Sequence, residues 1–192
     1  FTSFNPGSGK TFISANLSVA LALAGKRVIL LEMDIRKGSA KSEDGTVPAG
    51  ITNYLSGKVS GIRDIIRKSE WHDTLDVITS GPVPPNPAEL LLSNRLDMLM
   101  EELRREYDFI LIDTVPYGVV ADAQVINRIA DLCIYVIREG RFDRRLLPDV
   151  EKLYTDGRLS HMAVVLNEVC YEQAGYYGYY GYYGYGYGNK KE

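Results

Sequence analysis

Apolar positions along the chain switch between two periods, and the switches mark out alternating strands and helices. A β-prone lead, Phe1-Thr2-Ser3-Phe4, runs into Asn5-Pro6-Gly7-Ser8-Gly9-Lys10-Thr11. Phe12 to Ala24 then sets Ile13, Leu17, Ala20, Leu21 and Ala24 at helical spacing, with Gly25 as a C′ stop. Arg27-Val28-Ile29-Leu30-Leu31 carries a short continuous apolar run, as in a strand buried on both faces. Ser39 to Gly50 reads as an exposed loop, and Ile51 to Leu55 and Ile62 to Arg67 as short helices. Leu75 to Thr79 is a second strand, followed by turns through Gly81 to Pro87, where Pro87 opens a helix. Asn94 to Glu106 is amphipathic, with Leu96, Leu99, Met100 and Leu103 on one face. Phe109 to Ile112 predicts a buried strand ending at Asp113-Thr114, Ala121 to Ile129 a helix, and Leu132 to Ile137 a strand. Arg144 to Tyr154 predicts a helix that tolerates Pro148 early, and Met162 to Leu166 the last strand. This order predicts an α/β fold with a mostly parallel sheet flanked by helices on both faces.

Composition narrows the partners more than the fold. The 192 residues are 45% hydrophobic and 24% charged, enough for one domain with a sizeable core. A net charge of −3 leaves no basic footprint, so no nucleic-acid partner is expected. Cys133 and Cys170 lie in apolar or strand-like surroundings and read as small core residues in a reducing compartment. No apolar run approaches the length of a transmembrane helix. Only four residues precede the Gly-rich turn, fewer than a usual strand, so the chain is expected to begin inside its own first strand.

The Gly-rich turn carries the candidate chemistry. The turn Pro6-Gly7-Ser8-Gly9 would aim the successive backbone N–H groups that follow its proline at one point, ahead of a helix whose N-terminus is positive. That is a nest for phosphate oxygens, with Phe12 as the next residue on its rim. Lys10 adds a mobile charge for the β- and γ-phosphates, and Thr11 a hydroxyl for Mg²⁺. The full pattern G-x-x-x-x-G-K-[ST] would have Gly at position 4, where this chain has Phe4. Such a site also needs an acid at the end of another apolar strand. Asp113 fits that place, and Glu32 and Asp34 follow a third strand end, in the crevice where open α/β sheets bind ligands. Three acids near one ion would repel without cations, which predicts a Mg²⁺-dependent site.

Four stretches in order resemble the bacterial protein-tyrosine kinase (BY-kinase) family of capsule and exopolysaccharide export. They are Ser3 to Thr11, Val28 to Gly38, Pro84 to Leu91 and Ile110 to Thr114, and the similarity runs to about Asn167. The resemblance implies a P-loop NTPase fold over residues 1–170 and an autophosphorylated tail over 171–192. It makes Lys10 the Walker A lysine, Thr11 a Mg²⁺ ligand, Asp34 the second Walker A′ acid and Asp113 the Walker B acid. ATP and Mg²⁺ are the implied cofactors. Glu32 stands where the family has Asp, in the metal shell or assisting the tyrosine hydroxyl, and Val115 stands where it has Pro. Asn167 reads equally as a hydrogen-bond partner of adenine or as a turn residue. Arg144 and Arg145 read as a solvated helix start, with a phosphate or subunit contact as the alternative.

From Gly175 to Gly188 the chain holds only Gly and Tyr, and such a segment cannot bury a core. Tyr176, Tyr177, Tyr179, Tyr180, Tyr182, Tyr183, Tyr185 and Tyr187 match the family's autophosphorylation cluster. The resemblance further implies a ring-shaped homo-oligomer and a transmembrane activator of the polysaccharide co-polymerase type, fused or separate. The implied location is the cytoplasm, at the inner face of the membrane. Two rivals stand beside this reading. A partitioning or septum-site ATPase would carry Lys at the position of Asn5, and an ATP-bound export scaffold without catalysis is favoured only by Glu32.

Overall fold

The computed structural model describes residues 1–42, 45–117, 122–159 and 161–170. Strands β1 (Thr2–Ser3), β2 (Val28–Glu32), β4 (Leu75–Ile78), β5 (Phe109–Asp113), β6 (Cys133–Arg138) and β7 (Met162–Asn167) run parallel, and β3 (Arg67–Lys68) lies antiparallel to β4. The ladders form two sheets, β3-β4-β2-β5 and β1-β6-β7. Backbone bonds join them: Phe1 N–H donates to Ile112 O at 2.7 Å, and Thr114 N–H donates to Phe1 O at 3.2 Å. β1 therefore lies between β5 and β6. The fold is α/β with a mostly parallel arrangement of strands, as the strand–helix alternation predicts.

Alternation along β2 assigns its two faces. Ile29 and Leu31 point into one apolar cluster with Leu96, Leu99, Met100 and Leu103 of α4 (Asn94–Glu106). Val28 and Leu30 point the other way, against Ala22 and Leu17 of α1 (Lys10–Leu23). Both faces of this central strand are thus dry, and each such side chain contributes about 1.5–3 kcal/mol by burial. Tyr135 and Ile137 of β6 pack with Val150 of α6 (Leu147–Thr155) in a third cluster. The remaining helices, α2 (Ile51–Leu55), α3 (Pro87–Leu91) and α5 (Asp122–Asn127), are short.

The fold departs from the sequence reading at three places. Ile62 to Arg67 is not a helix: a 3₁₀ turn spans Ile62–Asp64, and Arg67–Lys68 become the edge strand β3. Exposed Arg67 and Lys68 carry no apolar alternation, yet Arg67 pairs in register with Val77, and charged residues suit an edge. Arg144–Leu146 form a 3₁₀ turn ahead of α6, so Pro148 sits in the first turn of the helix proper. Cys170 is exposed, not a core residue, whereas Cys133 is buried as expected. The expected tail tyrosines lie outside the described residues, as does Ala121. Among the described residues no helix is long and apolar enough to cross a membrane.

Register decides where the strand ends meet. Glu32 pairs with Asp113 at the C-terminal end of β2–β5, and Arg138 pairs with Asn167 at the same end of β6–β7. The loop after β1 emerges between these two pairs. A cavity of about 720 Å³, lined by Leu17, Leu21, Phe109, Leu111, Ile126 and Ile134 among others, lies along the N-terminal halves of β5 and β6. It contains none of the loop residues from Asn5 to Thr11.

Candidate nucleotide and metal site

The Gly-rich loop takes a shape that only glycine allows cheaply. Gly7 has φ +74° and Gly9 φ +94°, both in the left-handed region. Gly9 is also the N-cap of α1, so no side chain satisfies the first-turn N–H groups, and that turn holds no acidic residue. A helix start normally carries Ser, Thr, Asp or Asn for this purpose. Among the described residues, the N–H groups of Gly7, Ser8, Gly9, Lys10 and Thr11 donate to no protein acceptor. The loop's own polar groups close on themselves instead: Ser3 Oγ and Ser8 Oγ both donate to Asn5 O, at 2.7 and 2.9 Å. Phe12, next on the helix, is exposed.

Lys10 is only 8% exposed, and its Nζ donates to Ser3 Oγ at 3.2 Å. Burial pulls its pKa below the ordinary lysine value, with Asp113 and Asp34 pulling the other way. Ser3 is a partner that motif reading did not single out, although it stands inside the first matching stretch.

Thr11 Oγ1 donates to Asp113 Oδ2 at 2.5 Å, a bond spanning 102 positions of sequence. The other oxygen, Asp113 Oδ1, is buried without a hydrogen-bond partner among the described residues. Burial pushes the Asp113 pKa up, the Thr11 hydrogen bond and Lys10 work against this, and Asp34 adds to it. Glu32 is half-buried, and its pKa is raised by burial and then by the charge of Asp113. Asp34 lies two residues beyond Glu32, just past the end of β2, where Oδ1 accepts Lys37 N–H at 3.2 Å and its carbonyl accepts Gly38 N–H.

Asp113 raises the pKa of Glu32 and Asp34 that of Asp113, so the three acids feel one another's charge. Among the described residues, no three His, Cys, Asp or Glu side chains form a group able to hold a metal. Mg²⁺ is commonly held by one or two carboxylates, waters and substrate phosphates, and not by an all-protein cage. Thr11 Oγ1 and the unpartnered Asp113 Oδ1 fit that sparser donor set.

Two further groups brace the site from far along the chain. Arg36 forks onto Asp122, with Nε to Oδ2 at 2.6 Å and Nη2 to Oδ1 at 3.0 Å, tying the loop after β2 to the start of α5. Val115 is buried, and its carbonyl accepts Thr2 Oγ1 at 3.1 Å. On the opposite flank Asn167 Nδ2 donates to Ser8 O at 3.0 Å, so this side chain meets the loop itself and is not a free turn residue. A cavity of about 260 Å³ opens there, lined by Asn5, Pro6, Ser8, Arg138, Arg141 and Phe142. Arg144 is exposed, and Arg145 pairs with the neighbouring Asp143.

Known proteins share both the sequence and this architecture. Residues 1–142 match the family described as AAA domain. The tyrosine-protein kinase YwqD of Bacillus subtilis is 36% identical over 182 residues, covering 92% of this chain and 75% of YwqD. The crystal structure of the chimerical protein CapA2B2 superposes with a TM-score of 0.77 at 33% identity, covering 88% of this chain and 74% of that one. A septum-site-determining protein from Pyrococcus horikoshii aligns at a TM-score of 0.64 but 22% identity, a likeness of fold alone. Sequence and fold agree, and the chain belongs to the bacterial tyrosine kinases of capsule and exopolysaccharide systems.

Proposed function

We propose that this kinase uses Mg-ATP to phosphorylate the tyrosines of its own C-terminal segment, in trans between subunits of a ring. The observation that carries the reading is the uncapped, N–H-lined start of α1 beside Lys10 and the Thr11–Asp113 hydrogen bond. On this reading residues 1–170 are the catalytic domain and 171–192 the substrate tail. The loop N–H groups and Lys10 hold the phosphates and meet the charge that spreads over the γ-phosphoryl oxygens in transfer. Thr11 and Asp113 would hold the metal, with Asp34 reaching it directly or through water. When bound, Mg²⁺ neutralises charge on the β- and γ-phosphates. The bond from the γ-phosphorus to the β–γ bridging oxygen breaks, a bond to tyrosine Oη forms, and the hydroxyl proton passes to a carboxylate at the strand ends. Glu32 suits that last task, since a carboxylate with a raised pKa is a better base. Asn167 Oδ1 is left to accept from the adenine amine while Nδ2 holds the loop.

A membrane-bound activator of the polysaccharide co-polymerase type, fused or separate, would hold the domain at the cytoplasmic face. Tyrosines spaced by glycine can enter a neighbour's site with little obstruction, and each phosphate adds roughly −1.5 to −2 charges at neutral pH. Several on one tail repel each other and their neighbours, so phosphorylation would loosen the ring. To test transfer in trans, Lys10→Met protein with an intact tail is mixed with active protein lacking residues 175–192. Phosphotyrosine should appear only on the former; absence of label on it sinks the trans reading.

Glu32 gives a second, smaller expectation. One extra methylene moves its carboxylate by more than an ångström from the place a shorter acid would occupy, and an error of that size can cost about 100-fold in rate. Glu32→Asp should therefore raise kcat at saturating Mg-ATP by about tenfold, part of that range. A slower or unchanged rate would mean that Glu32 does not impair transfer, and that the site is built for the longer acid.

A further inference from the structure

The phosphate loop is gripped from the side away from the acids. Arg138 ends β6 and Asn167 ends β7, and the two are register partners. Arg138 Nη1 donates to Gly7 O at 2.9 Å, and Asn167 Nδ2 donates to Ser8 O at 3.0 Å. These are consecutive peptide groups. In a trans peptide unit the C=O and the following N–H point in opposite directions in one plane. Holding the Gly7 carbonyl outward therefore aims Ser8 N–H inward, and holding the Ser8 carbonyl aims Gly9 N–H inward. Neither N–H donates to a protein acceptor among the described residues. A flip of either peptide would present a carbonyl oxygen to phosphate in place of a donor. The approach is close: a Cβ at Gly9 would lie 2.1 Å from Asn167 Nδ2.

Arg138 has a second engagement. Its Nη2 forms an ion pair with Glu168, which sits at φ +55°, an uncommon state for a residue other than glycine. Cys170 N–H donates to Glu139 Oε2 at 2.7 Å. Residues 167–170, immediately ahead of the tyrosine-rich segment, are thus bound to the same strand end that holds the loop.

We infer that Arg138 and Asn167 are positioning residues that keep the Ser8 and Gly9 N–H groups turned toward phosphate, and that the Arg138–Glu168 pair ties this grip to the root of the tail. The inference deepens the kinase reading and rests on it for the ligand, but the grip itself can be read without nucleotide. In ¹⁵N relaxation of the full, nucleotide-free chain, the Ser8 and Gly9 amides should have order parameters near about 0.85, falling toward about 0.6 in Arg138→Met and in Asn167→Ala. The Kd for Mg-ATP should rise about tenfold in Arg138→Met, the scale of one charge-assisted hydrogen bond, with kcat at saturating ATP within about twofold. Arg138→Lys should recover part of the affinity, since an ammonium reaches one acceptor but cannot fork to both. Glu168→Ala should raise the Kd about threefold with the same split.

Unchanged loop order and unchanged Kd in Arg138→Met and Asn167→Ala proteins that melt like wild type would overturn the grip. A loss confined to kcat would also overturn it, placing Arg138 on the transferring group instead. A wild-type Kd in Glu168→Ala would overturn the link to the tail. If the wild-type protein phosphorylates no tyrosine, the function proposed above fails, while the order parameters still decide the grip.

Discussion

Lys10→Met is expected to abolish tyrosine phosphorylation, by about 10²–10³-fold or more, in a protein at least as stable as wild type. The loss follows from placement: Lys10 is the buried cation beside the loop, held by one hydrogen bond from Nζ to Ser3 Oγ. The stability follows from the direction of its pKa. Burial lowers it despite the attraction of Asp113 and Asp34, so the fold disfavours the charged form on balance. In linkage terms the unfolded chain binds more protons than the folded one between the lowered pKa and the ordinary lysine value, so stability rises with pH through that window. Below the window the ammonium is charged in both states and its burial weakens the fold. Methionine has similar length, fills the slot and carries no charge to desolvate. The nucleotide-free variant should melt at or above the wild-type temperature at pH 7, and Mg-ATP should no longer raise that temperature. Retained phosphorylation by a folded Lys10→Met protein would remove Lys10 from the site.

How much of this could be read from sequence depended on the range of the interaction. Local patterns carried the strands and helices of the central sheet, because burial on two faces writes itself as continuous apolar runs at β2 and β5. The glycines, Lys10 and Thr11 were legible because one short loop must do several things at once. Asp113 was legible because a strand must deliver it. The bracing groups were not. Arg138 meets Gly7 across 131 positions, Asn167 meets Ser8 across 159, and Arg36 meets Asp122 across 86. Nothing local distinguishes such an arginine from a solvated one. Asn167 reads from sequence as an adenine partner or a turn residue; its contact with the loop needs the β6–β7 register, which sequence does not state. The strand at Arg67–Lys68 leaves no signal in sequence, because an exposed charged edge has no hydrophobic period. The exposure of Cys170 is not legible either, because apolar neighbours in sequence say little about burial past the last strand.

Asp113→Asn should give the other large effect, with an opposite sign for activity and stability. The carboxylate has one oxygen on Thr11 Oγ1 and one buried and, among the described residues, unpartnered. An amide of the same shape can keep the first contact, but it cannot supply the negative charge that a metal at this place would need. Phosphorylation should fall by about 10²–10³-fold, the range for losing one well-aimed electrostatic group. The Mg²⁺ concentration for half-maximal rate should rise, because the remaining hydroxyl of Thr11 is a weaker ligand. In the absence of nucleotide and metal the same change should stabilise the fold at neutral pH. Burial raises the Asp113 pKa above its ordinary 3.8 even after the Thr11 hydrogen bond and Lys10 have acted. The folded chain therefore holds this proton over a window where the unfolded chain has lost it, and stability falls as pH rises through the window. Asparagine removes that slope. Urea unfolding should find Asp113→Asn more stable than wild type at pH 7, with the gap narrowing as pH falls toward 4. A gap that widens on acidification would mean that the fold favours the charged carboxylate, and that the unpartnered oxygen is solvated and not held ready for a cation.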